Sequence, residues 1–97
     1  MKTKLHDWRI DEVLKTPEDR AIYIQAAMDE HDPAYLAKAL GNVSRIEGEE
    51  RIAKRAKMTR DDFRADFIDG GNPTLRTFMR VIDALGFQML MRPKAHA

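Results

Sequence analysis

Arg60 and Arg64 stand four residues apart in a stretch of helical spacing, so their side chains share one face. A guanidinium is a planar fork of donors that matches both acceptors on a guanine edge, and each such pair contributes about 1–3 kcal/mol of discrimination. Two of them on one face could reach a single groove of duplex DNA. The competing reading is pairing with neighbouring acids such as Asp61, worth only about 0.2–0.5 kcal/mol per pair along a helix. Arg51, Lys54 and Arg55 lie on a separate short helical piece just before. They suit phosphate contacts, which position a domain without reading sequence, or else a plain solvated face.

The same stretch also carries Asp61, Asp62, Asp66 and Asp69, so it is net acidic and a polyanion repels it. An aspartate can accept from cytosine in the major groove, which accounts for one acid but not four. Asp62, Asp66 and Asp69 recur at helical spacing without the spacing of a calcium loop, so no metal or other cofactor is expected. The absence of cysteine excludes a disulfide scaffold, a thiolate zinc site and a cysteine nucleophile together. His6, His31 and His96 form no ligand pair, and Ser44 lies in a core-packing helix with nothing to mark it as a nucleophile. Gly70-Gly71-Asn72-Pro73-Thr74 lacks the lysine of a phosphate-binding P-loop. No enzyme is expected.

The elements that must position these residues are helices. Thr16-Pro17-Glu18-Asp19 is a helix start, with a hydroxyl cap, proline at the first position and acids at the positive end. The helix runs to about His31, with Ile22, Tyr23, Ala26 and Ala27 as its buried face. Asp32-Pro33 opens a second helix through Tyr35, Leu36, Ala39, Leu40, Val43 and Ile46, and Gly48 is a stop or sharp joint. A third covers 49–57 with Ile52, Ala53 and Ala56 inward. Thr59 caps a fourth whose inward stripe is Phe63 and Phe67. After the break at 70–73, Thr74 caps a fifth that buries Leu75, Phe78, Val81 or Ile82, and Leu85, and Gly86 ends it. Residues 87–92 are one strand or an extended tail. Two short helices joined by a tight turn, with small Ala53 at the crossing and Met58 and Phe63 filling the angle, make a helix-turn-helix arrangement.

At 97 residues the chain is one domain, divided here into an arm at 1–15, a helical domain at 16–92 and a frayed tail at 93–97. Residues 1–32 carry five basic and eight acidic side chains and residues 33–97 twelve and eight, an acidic front and a basic back compatible with two binding faces. No apolar run is long enough to span a membrane, and the first residues lack a signal peptide's apolar core, so a cytoplasmic protein is expected. Trp8, Ile10, Val13 and Leu14 fall outside the main helical pattern. They form either a partner-binding arm, with Trp8 as its anchor, or a short helix covering the domain's own core.

Ala39-Leu40-Gly41-Asn42-Val43, Arg45-Ile46-Glu47-Gly48, Ile52-Ala53, Thr59-Arg60, Gly71-Asn72-Pro73-Thr74 and Val81-Ile82-Asp83-Ala84-Leu85-Gly86, in that order, resemble the bacterial addiction-module antidote family. These are HigA-like antitoxins with a lambda-repressor (Xre) type helix-turn-helix. The likeness spans roughly residues 11–90 and implies an all-α, five-helix lambda-repressor-like domain, with room for a short C-terminal strand. It further implies a homodimer that binds double-stranded operator DNA, represses its own operon on the nucleoid and neutralises a cognate toxin of the RelE/HigB type. Carried onto this chain, it places Thr59, Arg60, Asp61, Asp62 and Arg64 near bases or phosphates, and Thr74 at a helix start that could meet a phosphate. Lys57 replaces the usual turn glycine, which implies either a differently shaped turn or a phosphate contact. Two alternatives stand beside this. One is a protein-binding antitoxin or adaptor that keeps the fold without specific DNA binding; the other is a prophage-type regulator with no toxin.

Overall fold

The computed structural model describes residues 10–95. The chain forms α1 (Ile10–Val13), α2 (Pro17–Asp29), α3 (Pro33–Glu47), α4 (Glu49–Arg55), α5 (Arg60–Phe67) and α6 (Leu75–Ala84). Among the described residues there is no strand. The expected all-α, five-helix plan is α2–α6, preceded by the single turn of α1.

The helix starts are fixed locally. Thr16 Oγ1 accepts from the Asp19 amide at 3.0 Å, Thr59 Oγ1 from the Asp62 amide at 3.0 Å and Thr74 Oγ1 from the Thr77 amide at 3.2 Å. The Asp32 carboxylate accepts from the Ala34 and Tyr35 amides at 3.1 and 3.4 Å. Each such cap stabilises by about 1 kcal/mol. Gly48, at φ 110°, serves α3 as its last cap and α4 as its first, so the two helices meet at one residue.

α3 is the central helix, against which α2, α4, α5 and α6 all pack. Leu40 and Val43 of α3, Ile52 of α4, Phe63 of α5 and Val81 of α6 are all wholly buried. Phe63 stacks on Phe67 with ring centroids 5.2 Å apart, and Phe67 meets Phe78 edge-on at 6.0 Å. Gly41 lies where α3 and α5 touch backbone to backbone: a β-carbon there would come within 2.1 Å of the Phe67 carbonyl oxygen.

The buried face of α2 matches expectation in part. Ala27 is buried and Tyr23 half-buried as expected, but Ile22 is 68% exposed, Ala26 is exposed and Ile24 points inward in their place. On this inward side α2 is joined to α3, where Asn42 Nδ2 donates to the Tyr23 hydroxyl at 2.9 Å. Tyr35 and Leu75 are also exposed, because each lies in the first turn of its helix at the margin of the core. Residues 87–94 form neither strand nor helix, and Leu90 and Met91 are open to solvent. Ile10 and Leu14 are buried in the core, so residues 10–14 cover the domain itself. Arg20 holds them there: its Nε donates to the Leu14 carbonyl at 2.9 Å and its Nη1 pairs with Glu47 Oε2 at 3.0 Å. Trp8 lies outside the described residues.

Two substitutions test this packing. Gly41→Ala must push α5 away from α3, and we expect a loss of about 2–3 kcal/mol, read as a fall in Tm of roughly 10–20 °C. Burial pushes the Tyr23 phenol above its ordinary value of 10.0, outweighing the opposing Asn42 hydrogen bond. The folded chain therefore holds that proton more tightly than the unfolded chain, so stability is full below about pH 10 and falls as pH rises beyond it. Tyr23→Phe should cost about 1 kcal/mol at pH 8 by orphaning Asn42, yet flatten the alkaline fall in urea-unfolding stability between pH 9 and 11.

Candidate nucleic-acid interface

α4, residues 56–59 and α5 have a helix-turn-helix-like arrangement. The α4 end is closed by two backbone bonds, Lys57 N to Lys54 O at 3.0 Å and Met58 N to Ala53 O at 2.9 Å. This pairing requires a left-handed residue at position 57, and Lys57 takes it at φ 62°. The turn thus has the shape a glycine would give it, and the lysine side chain is exposed. Ala53, 1% exposed, is the small residue at the crossing; half-buried Met58 and wholly buried Phe63 fill the angle, as the spacing predicts.

Only Phe63 and Phe67 of α5 are buried, which turns Arg60, Asp61, Asp62 and Ala65 outward. Beside them, an open depression is lined by Glu50, Arg51, Lys54, Arg55, Met58 and Arg60, so four cations from α4 and the start of α5 converge. They are not equally free. Arg51 Nη1 pairs with Glu47 Oε1 at 3.5 Å, and Arg55 Nη1 donates to the Ala84 carbonyl at the end of α6 at 3.2 Å. Lys54 and Lys57 are exposed. The Thr59 and Thr74 hydroxyls are engaged as caps, and Thr74 lies apart from the depression, at the start of α6.

Arg60 and Arg64 do not pair with the aspartates of their own helix. Both turn to Glu49, at the first position of α4: Arg60 Nε lies 3.6 Å from Glu49 Oε1, and Arg64 Nη1 donates to the same oxygen. That bond holds the Arg64 guanidinium above its ordinary range. The Glu49 side chain is 12% exposed, against 57% for Arg60 and 39% for Arg64. Sequence reasoning gives Glu49 no role, because its partners lie on another helix, 11 and 15 residues away. Glu47 joins Arg51, four residues on, and Arg20, whose place on another helix leaves no periodic trace.

The fold is that of a small all-helical domain with a helix-turn-helix-like arrangement of α4 and α5. The chain belongs to the family described as "Probable addiction module antidote protein", which matches residues 4–93. Membership carries with it a cognate toxin as partner. An "Uncharacterized protein" of Haemophilus influenzae is 28% identical over 97 residues, covering the whole of both chains. No solved structure gives a significant match.

The left-handed lysine generates a prediction. A side chain in this conformation costs about 1–2 kcal/mol, and glycine's greater freedom in the unfolded chain returns part of that. Lys57→Gly should raise stability by about 0.5–1 kcal/mol in thermal or urea unfolding; Lys57→Val should lower it.

Proposed function

We propose that this protein is a DNA-binding antitoxin of the HigA type, a dimeric repressor of its own operon in the cytoplasm that also neutralises a RelE/HigB-type toxin. It acts by binding and carries out no chemistry of its own. The observation that supports this reading is the convergence of Arg51, Lys54, Arg55 and Arg60 on one open surface, next to an α5 face bearing Arg60 and Arg64. α5 enters the major groove, Arg60 and Arg64 read base edges, and Lys54, Lys57, Thr59 and the start of α6 at Thr74 anchor the backbone. Asp62 faces the groove as an acceptor for cytosine. One eight-residue helix buries too little surface for tight specific binding, so two copies read half-sites about 34–36 Å apart.

A second reading has its own observation behind it. Asp61 and Asp62 are exposed on α5 and Asp69 just beyond its end, and both arginines are already paired with a carboxylate. A protein-binding antitoxin without specific DNA recognition would look like this.

Fluorescence anisotropy of the duplex from directly upstream of the gene, against a scrambled duplex at two salt concentrations, separates the two. The repressor reading requires tighter binding to the upstream duplex, weakening steeply with salt. Replacing Arg60 and Arg64 together by alanine should weaken it about 100-fold or more while leaving toxin binding intact. Equal, feeble binding to both duplexes would leave the protein-binding reading standing alone.

A further inference from the structure

We propose that Glu49 is the positioning residue for DNA discrimination: one sunken carboxylate oxygen holds Arg60 and Arg64 at fixed places on the α5 face and cancels one of their two charges. This rests on the DNA-binding reading above. The geometry is that of a bracket. Glu49 stands at the first position of α4, and Arg60 and Arg64 open the first and second turns of α5, so a single oxygen ties the two helices of the motif through both candidate readers. The carboxylate lies inside and the guanidiniums outside, at 12% exposure against 57% and 39%.

A guanidinium carries five donors. Arg60 turns its Nε edge toward Glu49 in an ion pair at 3.6 Å, which leaves both terminal nitrogens for a guanine edge; Arg64 spends one terminal nitrogen on a hydrogen bond, which leaves the other and its Nε. Anchoring therefore removes side-chain freedom without using up the donors that read. A free arginine must lose that freedom on binding, and it pairs with any phosphate within reach. The pair held by Glu49 presents a net charge of one rather than two and reaches fewer phosphates. On this account the carboxylate sacrifices affinity for DNA in general in order to sharpen the choice of sequence.

Glu49→Gln removes the charge and keeps the shape. On the scrambled duplex we expect it to bind several-fold tighter than the wild type, with a salt slope steeper by about one. The ratio of upstream to scrambled affinity should fall about ten-fold. Arg64→Lys, which retains the charge but loses the planar fork, should lower the same ratio without tightening scrambled binding, and it serves if Glu49→Gln folds poorly. A merely structural Glu49 would lower Tm and leave ratio and slope where they were, and that result overturns the inference while the repressor reading stands. A wild type that does not discriminate between the duplexes overturns both.

Discussion

The backbone contact between α3 and α5 at Gly41 is the constraint on which the functional surface depends. α5 has eight residues and buries two of them, so its apolar content alone fixes it poorly. Without a side chain at Gly41, the Phe67 carbonyl settles directly on α3, and the Phe63, Phe67 and Phe78 rings close around that contact. Aromatic pairs of this kind add about 0.5–1.5 kcal/mol each beyond the area they bury. Everything α5 presents to solvent, charged residues above all, is positioned by what happens on its hidden side.

Charge then works at a finer scale. Glu47 and Glu49 flank the Gly48 joint, and each gathers two arginines: Glu47 takes Arg20 and Arg51, Glu49 takes Arg60 and Arg64. The first pair ties the covering segment at 10–14 and α2 to the end of α3; the second ties the helix-turn-helix together. The acids of the α3–α4 joint thus restrain basic side chains that would otherwise be free on a mixed surface.

Much of this fold is legible in the sequence, because the signals that set helix starts are local. Thr16-Pro17, Asp32-Pro33, Thr59 and Thr74 all cap where their types and neighbours place them, and Gly48 and Gly86 end helices as expected. Which side of a helix turns inward is less local. On α2 the expected face is half right: Tyr23, which accepts from Asn42 19 residues away, and Ala27 turn inward, while Ile22 and Ala26 turn out. The candidate site divides the same way. Arg60 and Arg64 are readable as a pair from their spacing, but the carboxylate that organises them belongs to another helix and leaves no periodic trace.

The close of α6 has a consequence for how the molecule opens and breathes. Gly86, at φ 88°, lets the Gly86 and Phe87 amides bond back to Asp83 and Ile82, and these are the last backbone bonds the chain makes among the described residues. The amides from Gln88 onward donate to no backbone acceptor there. α3 to α6 share one core, so their inner hydrogen-bonded amides should exchange with solvent together, whereas those after Phe87, which have no backbone acceptor, should exchange much faster. The boundary between the two regimes falls within a single residue.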